Sequence, residues 1–253
     1  MKAVVRIVLI ALGVVGCIQF NDTCDPDSSE IVGDTARSLD VRSATVSTQE
    51  APVGNLVADA FREATNADFA LVPAQSFQQG TDCGVINFIN RGPVRANALH
   101  DLLPEVDTVV VMSVTSDTLQ RVLEHSVAAL RPGGGAAESP GFLQVSNVFF
   151  SVDCSQQAQT LSGDGAAIAF PGQRVPPGSI TVGTAAIQPG QNFHLATTST
   201  LANGALGYVD LTAAKILIDT GKIPTDVVAD YLRSHSPINP GVEGRILLGD
   251  TCK

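Results

Sequence analysis

The sequence predicts an α+β fold, and the stretch 92–147 shows why. Three consecutive valines lie in an apolar run, 108–114, whose length and β-branched residues are typical of a strand buried on both faces. Apolar residues then recur at helical spacing over 119–130, which predicts an amphipathic helix. A glycine-rich break and a second strand-like segment, 140–147, follow. Strands and helices therefore alternate within one stretch of chain.

The same patterns predict elements on both sides of this stretch. Apolar runs bounded by turn residues predict strands at 30–37, 68–72, 149–153, 180–182, 192–198 and 244–248. Amphipathic spacing predicts helices at 53–64 and 226–233. Ser116 or Asp117 is the expected N-cap of the central helix, and Thr225 is the expected N-cap of the last one.

Size and charge limit the possible functions. The chain has 253 residues, of which 44% are hydrophobic, and this is enough for one large domain or two small ones with ample core. We expect a single folded domain at 30–253. The formal charge of −10 argues against a nucleic acid as partner.

The segment 1–16 has the pattern of a targeting signal. Lys2 and Arg6 precede an apolar run, 7–15, which is too short to span a bilayer as a mature helix. The run leads into Val-Val-Gly-Cys, which resembles a bacterial lipobox and implies that Cys17 is lipidated and begins the mature protein. The alternative is an ordinary secretory signal in which Cys17 has no special role.

The lipobox resemblance predicts a protein anchored by lipid in the bacterial cell envelope. An aspartate after the lipidated cysteine often retains lipoproteins at the inner membrane, whereas Ile18 follows Cys17 here. The outer membrane or the cell surface is therefore the favoured location. The segment 17–29 is polar and acidic, and it suits a tether between the lipid and the domain.

Export implies an oxidising compartment, in which the remaining cysteines are disulfide candidates. These cysteines are Cys24, Cys83, Cys154 and Cys252. They allow three connectivities, and the sequence does not choose among them, although a bond between Cys24 and Cys252 would join the termini and is slightly favoured. No Cys-x-x-Cys pair occurs, so a zinc site is not expected.

Several segments together carry a family resemblance. They are, in chain order, Gly-Asn-Leu-Val-Ala-Asp-Ala at 54–60, Gly-Pro-Val-Arg at 92–95, Asp-Leu-Leu-Pro at 101–104, Gly-Phe-Leu-Gln-Val-Ser at 141–146 and Gly-Ala-Leu-Gly-Tyr at 204–208. Their order and composition resemble the C-terminal, substrate-recognition domain of the 5'-nucleotidase and UDP-sugar hydrolase family, over roughly residues 30–248. The resemblance implies mixed β-sheets with packed helices. It also implies that a nucleotide-like ligand would contact Gly141, Phe142, Gln144, Asn203, Gly204 and Tyr208.

The ligand chemistry departs from that of the family. The family segment with glycines and a nucleotide-holding arginine corresponds to Pro-Ala-Gln-Ser-Phe-Gln at 73–78, and glutamine cannot form the forked, charge-assisted bonds of arginine. The family's two base-stacking phenylalanines correspond to Glu105 and Thr200, and a ligand-bonding aspartate corresponds to Leu206. These changes indicate a retained scaffold with a degenerate pocket. Glu105 and Asp107 are expected to be solvated, and the alternative is a cation site with hard oxygen ligands.

No catalytic residue, metal ligand or cofactor site is predicted. In the family, a separate N-terminal metallophosphatase domain carries out hydrolysis, and motifs such as Gly-Asn-His-Glu do not occur in this sequence. The histidines are scattered singly, and no nucleophile and base pair is recognisable.

Two functions from different classes are consistent with these observations. The first is a non-catalytic, lipid-anchored envelope protein that uses the domain as a binding or interaction module. The second is a hydrolase component of nucleotide catabolism, acting with a metallophosphatase domain made as a separate chain. The loss of stacking and charged residues favours the first function, and the family resemblance favours the second. A nucleotide-like small molecule remains a possible ligand in either case.

Overall fold

The computed structural model describes residues 29–78, 87–103, 107–133 and 138–253. The expectations for the signal segment 1–16 and for Cys17, Cys24, Cys83 and Glu105 lie outside these residues. Within the described ranges, no helix is long and apolar enough to cross a membrane.

The described residues form an α+β fold, as predicted. The helices are α1 (Ser43–Val46), α2 (Pro52–Thr65), α3 (Ala96–Leu102), α4 (Ser116–Ser126), α5 (Ser199–Ala202) and α6 (Pro224–His235). The first strands are β1 (Ile31–Thr35), β2 (Leu39–Asp40), β3 (Phe69–Pro73), β4 (Phe88–Ile89), β5 (Gly92–Arg95), β6 (Val109–Thr115), β7 (Leu143–Ser146) and β8 (Val148–Val152). The later strands are β9 (Thr160–Leu161), β10 (Ile168–Phe170), β11 (Thr181–Val182), β12 (Ala185–Ala186), β13 (Asn192–Thr198), β14 (Lys215–Asp219) and β15 (Ile246–Leu248).

A five-stranded mixed sheet of order β14-β6-β13-β3-β7 lies at the centre. Its neighbours pair antiparallel except β13 and β3, which run parallel with Leu195 opposite Phe69. The four valines of β6 are 0–4% exposed, which confirms the strand predicted to be buried on both faces. The fold is therefore built on the stretch that the sequence singles out.

A second, four-stranded sheet has the order β12-β11-β8-β15, with β8 and β15 parallel. Strands β1 and β5, β2 and β4, and β9 and β10 form two-stranded antiparallel pairs. A disulfide joins Cys154, which follows β8, to Cys252 near the C-terminus, with the Cα atoms 5.0 Å apart. The slight preference for Cys24 as the partner of Cys252 was therefore wrong, because the fold brings β8 and the C-terminal segment side by side.

Helix α2 packs against β3, β7 and α6. It begins with Pro52, which suits the first turn because its missing N–H would be unpaired there, and it ends where Asn66 adopts a left-handed conformation at φ 52°. Gly54 is required for the close approach to β7, because a Cβ atom there would lie 2.3 Å from the Gln144 side chain. This helix confirms the amphipathic prediction for 53–64.

Two predicted helix caps differ from the structure. The N-cap of α4 is Thr115, whose hydroxyl accepts a hydrogen bond from the Thr118 N–H at 3.1 Å, and Ser116 and Asp117 lie inside the helix. Helix α6 begins at Pro224, and the Thr225 hydroxyl instead donates to the Leu103 carbonyl at 3.0 Å. In both cases the helix starts one or two residues earlier than the polar residue suggested. The neighbouring hydroxyl of Thr115 caps α4 equally well, whereas α6 follows Ile223 and has no side-chain cap.

A buried carboxylate joins the start of α2 to the segment before β15. Glu50 is 4% exposed and accepts hydrogen bonds from the Glu243 N–H at 2.6 Å, the Arg245 N–H at 2.8 Å and the Asn55 amide at 2.7 Å. The guanidinium of Arg245 in turn forms a forked ion pair with Asp59 at 2.7 and 2.8 Å. The network therefore fixes segments that are almost 200 residues apart.

Removing the Glu50 carboxylate should strongly destabilise the fold. Glu50→Ala leaves buried N–H groups without acceptors, so we expect the free energy of unfolding to fall by about 3 kcal/mol. Glu63→Ala is the matched control, because that side chain is 52% exposed and pairs with His235 at the surface; its cost should stay within about 0.5 kcal/mol. Urea unfolding at constant m-value measures both changes. Equal effects of the two substitutions would contradict this account.

Candidate functional site

A cleft lies where the parallel strands β3 and β13 end. Carboxyl ends of adjacent parallel strands are a common place for ligand binding, because the following chain segments diverge there. The cleft has a volume of about 120 Å³. Its described lining residues are Pro73, Gln75, Ser76, Gln78, Leu103, Asp107, Thr198, Thr200, Leu201, Leu206 and Pro224.

The cleft wall is largely uncharged. Among the described lining residues, Asp107 carries the single formal charge, and no aromatic side chain or cation is present. The segments 73–78 and 198–206, in which the sequence departs from the family pattern, both line this cleft. The structure therefore brings together the substitutions at Gln75, Thr200 and Leu206.

The Asp107 carboxylate is engaged by the protein itself. Its Oδ1 atom accepts hydrogen bonds from the Thr108 N–H at 3.0 Å, from the Thr200 N–H at 2.9 Å and from the Ser199 hydroxyl. Two of these donors belong to the first turn of α5, whose N–H groups have no partner within the helix. Asp107 therefore attaches the segment after α3 to the start of α5, and it is not simply solvated as predicted.

The loop after α5 forms another side of the cleft. Gly204 adopts φ 84°, and a Cβ atom there would lie 2.4 Å from the Thr212 side chain, so glycine is required. Leu206 adopts φ 61°, a conformation that is costly for a bulky residue. The Leu206 carbonyl lies 2.8 Å from Nε2 of His125, whose Nδ1 lies 2.9 Å from the Gln159 amide oxygen. These contacts hold the loop from the side of α4.

Tyr208 supports the same loop from within the core. It is 1% exposed, its hydroxyl donates to the Gly141 carbonyl, and its ring lies edge-on to His125 with the centroids 4.6 Å apart. Burial raises the pKa of Tyr208, so the phenol stays neutral at physiological pH. A permanently neutral, fully buried phenol holds the loop in place and does not act as a general base.

None of the six residues proposed from the resemblance as ligand contacts is among the described lining residues of the cleft. Phe142 is fully buried, and Asn203 donates to the Ser199 carbonyl at 2.8 Å. The Gln144 amide is also fully buried, and it bonds Ala51 N–H, Val46 O and Gln49 O at 2.8–2.9 Å. Gly141, Gly204 and Tyr208 form the loop support described above. Their ligand-binding role stays a prediction, whereas their contacts in the structure hold the fold together.

Sequence reasoning missed two contacts that shape the cleft. One is the bond from Ser199 to Asp107, and the other is the contact of His125 with the Leu206 carbonyl. Both join residues that are at least 80 positions apart, so no local pattern indicates them. The available signal for the first was Ser199 itself, a residue type that is favoured at the starts of helices.

The described residues contain no group of three or more histidine, cysteine, aspartate or glutamate side chains arranged to hold a metal ion. The alternative of a cation site at Glu105 and Asp107 involves Glu105, which lies outside the described residues. Since Asp107 Oδ1 already accepts three hydrogen bonds, that atom has little capacity left for a cation.

Comparison with known families agrees with this architecture. The pattern of the family described as "5'-nucleotidase, C-terminal domain" matches residues 31–213. The chain belongs to this family.

Relatives of this 5'-nucleotidase C-terminal domain are longer proteins. A 5'-nucleotidase of Diplobatis ommata is 28% identical over 86% of this chain and 37% of the relative. The trifunctional nucleotide phosphoesterase protein YfkN of Bacillus subtilis is 25% identical over 90% of this chain and 14% of the relative. The chain therefore spans well under half the length of these relatives.

Solved structures show the same fold. The 5'-nucleotidase precursor of Thermus thermophilus superposes with a TM-score of 0.71 at 23% identity, covering 87% of this chain and 39% of that one. The NAD nucleotidase of Haemophilus influenzae superposes with a TM-score of 0.67 at 15% identity, covering 89% and 39%. These likenesses establish the fold of the C-terminal domain.

The role of Asp107 can be tested with a matched pair of substitutions. Asp107→Ala removes the acceptor shared by Thr108, Ser199 and Thr200, so we expect the free energy of unfolding to fall by about 1–2 kcal/mol, as for loss of a helix cap. Asp107→Asn keeps an oxygen at the same place, because all three bonds use Oδ1, and should cost less than half as much. Urea unfolding of the two variants measures this difference. An Asn variant as unstable as the Ala variant would show that charge, not the hydrogen bonds, is what matters.

Proposed function

We propose that this domain is a non-catalytic binding or interaction module with a degenerate nucleotide pocket, in a lipid-anchored protein of the bacterial envelope. The observation that carries the proposal is the chemistry of the cleft at the ends of β3 and β13. Its described wall offers amides, hydroxyls and aliphatic groups, with one carboxylate already bonded by the protein.

Nucleotide binding depends on two interactions that this wall lacks. Stacking of a base on an aromatic platform contributes about 1–3 kcal/mol, and Thr200 and Leu206 have no aromatic face to offer. Phosphate is held most strongly by charge-assisted bonds from arginine or lysine, and neither occurs among the described lining residues. Gln75 and Gln78 provide only neutral donors. Each loss weakens binding, and the losses act on the same ligand.

The size of the cleft supports the same proposal. Its volume of about 120 Å³ is below the range of roughly 300–1,000 Å³ in which small-molecule sites usually fall. Leu206 takes the place of the family's ligand-bonding aspartate, and its side chain lines the cleft while packing partly against the core. An apolar side chain therefore stands where a polar ligand contact is expected.

Binding measurements with three family ligands test the proposal. Titration of AMP, adenosine and UDP-glucose into the protein, with and without Mn²⁺, should give no saturable heat up to about 1 mM ligand, which corresponds to binding weaker than about −4.1 kcal/mol. Dissociation constants in the micromolar range would overturn the degenerate-pocket proposal. That outcome would favour the second function, a hydrolase component that works with a separate metallophosphatase chain.

A gain-of-binding pair sharpens this test. Thr200→Phe supplies an aromatic face at the family's stacking position, whereas Thr200→Leu supplies comparable apolar volume without one. Ligand-observed NMR should detect tighter adenosine binding by the Phe variant, by about 5- to 150-fold if stacking contributes its usual 1–3 kcal/mol. Equal binding by the two variants would show that the cleft does not accept a base at Thr200.

The hydrolase alternative rests on the relatives. The proteins named as 5'-nucleotidase and as nucleotide phosphoesterase contain this domain within longer chains. A separate metallophosphatase chain could therefore supply catalysis to the domain. Recovery of nucleotide hydrolysis on mixing the two chains would establish this function.

The lipid anchor is a separate part of the proposal and rests on the sequence around Cys17. Replacing Cys17 by serine removes the thiol that would receive the lipid, so the variant should appear in the soluble envelope fraction of the producing cells while the parent protein remains with the membranes. Ile18→Asp is the control, because it keeps the thiol and should shift the protein toward the inner membrane. A Cys17→Ser variant that stays with the membranes after signal cleavage would argue for another anchor, and a parent protein in the soluble fraction would argue for an ordinary secretory signal.

A further inference from the structure

Strand β14 forms an open edge of the central sheet. It pairs with β6 on one side, and it is the outermost strand in the order β14-β6-β13-β3-β7. All five of its residues are exposed, including Ile216, Leu217 and Ile218 at 40%, 40% and 54%. Strand β7, at the opposite edge, is buried along its whole length. The central sheet thus has one covered edge and one exposed apolar edge.

An exposed apolar edge strand is unusual in a soluble protein. Edge strands present unpaired backbone N–H and C=O groups, and soluble proteins usually protect them with charges, prolines or a covering segment. In β14, three consecutive apolar residues are exposed on such an edge, with charges only at the two ends. This arrangement favours pairing with another strand.

We propose that β14 pairs antiparallel with β14 of a second copy of this chain, around a twofold axis at Leu217. Read outward from Leu217, the strand has an isoleucine on each side and then Lys215 at one end and Asp219 at the other. In the antiparallel pair, Lys215 lies opposite Asp219 of the second copy, Ile216 lies opposite Ile218, and Leu217 lies opposite itself. A twofold interface is self-complementary in this way.

The charges specify the partner and its direction. Parallel pairing of the same strands in register would place lysine against lysine and aspartate against aspartate, and like charges directly opposite are destabilising. Lys215 makes no side-chain hydrogen bond or ion pair within the part of the chain that the structure describes, and Asp219 accepts only a local bond from the Gly221 N–H at 3.0 Å. Both charges are therefore available to a partner. Exposed pairs contribute little free energy, so the apolar residues supply most of the attraction and the charges set the orientation.

The irregularity of β14 is compatible with this pairing. Its register against β6 shifts between Ile216 and Ile218, so Leu217 is the extra residue of a bulge. The bulge lies at the proposed axis, and on either side of it two residues of β14 keep consecutive pairing with β6. Strand β15 offers a comparison, because it is also an edge and exposes Leu247 at 57%, but it has no symmetrical charges.

Cysteine cross-linking on the axis tests the proposal. The full chain in a mild detergent, with Leu217→Cys, is oxidised gently and run on a non-reducing gel. A product of twice the mass of the single reduced chain is expected, because a residue on a twofold axis lies next to its own copy. The control is Leu247→Cys, which is similarly exposed on β15 and should not cross-link. Background thiols outside the described residues are removed in both chains by Cys17→Ser, Cys24→Ser and Cys83→Ser.

Charge variants distinguish specific pairing of β14 from non-specific hydrophobic association. On the Leu217→Cys chain, Lys215→Asp or Asp219→Lys alone places like charges opposite each other twice, so the rate of cross-linking should fall about tenfold. A mixture of these two variants restores opposite charges at both ends, and cross-linking should return to at least the parent rate. Recovery on mixing also shows that neither variant is merely misfolded.

Three results would overturn the proposal. They are equal cross-linking of the Leu217→Cys and Leu247→Cys chains, no effect of the single charge changes, and no recovery when the two charge variants are mixed. The first would indicate non-specific contact between exposed thiols. The second and third would show that the lysine and aspartate of β14 do not face each other across an interface.

Discussion

The parallel pairing of β3 with β13 is the constraint on which the rest of this fold depends. These strands are more than 100 residues apart in sequence, and they meet with Leu195 opposite Phe69 and with the Thr197 hydroxyl donating to the Leu71 carbonyl at 2.7 Å. The pairing places the ends of both strands at one edge of the sheet, where the cleft forms. In the same sheet β6 lies between β13 and β14, and β14 is the outermost strand. The site and the exposed edge are thus consequences of one sheet order.

The supports of the cleft are distinct from the positions at which we propose that ligand contacts have been lost. Asp107, His125 and Tyr208 hold the segments around it through hydrogen bonds within the protein. Gly204 is needed because no side chain fits beside Thr212. Thr200 and Leu206 take part in these bonds only through their backbone, while their side chains line the cleft. A change of either side chain therefore leaves the hydrogen bonds that support the cleft in place.

The sequence predicts this fold where local patterns are strong. Strand β6 and helix α4 are recognisable from the sequence, because consecutive valines indicate a buried strand and apolar residues at helical spacing indicate a helix with one buried face. Strand β14 escaped prediction because it is short and its apolar residues are exposed, so burial patterns carry no information about it. The partner of Cys252 and the contacts of Asp107 depend on segments about 90 to 100 residues away. Their positions follow from the assembled sheets, which no local pattern encodes.

Charges in the interior of this protein are bonded within the chain, whereas the charges at the ends of the exposed strand β14 are largely unbonded. Inside, Glu50 and the Arg245–Asp59 pair are fully bonded, because an unpaired buried charge would cost several kcal/mol. On the open edge, Lys215 and Asp219 are exposed and are not bonded to each other, so retaining them there carries little energetic penalty. Lys215 makes no side-chain bond within the described residues and Asp219 accepts only the local bond from the Gly221 N–H, so both charges can interact with a partner. In the proposed pairing, the end charges of β14 therefore contribute more to specificity of association than to stability of the fold.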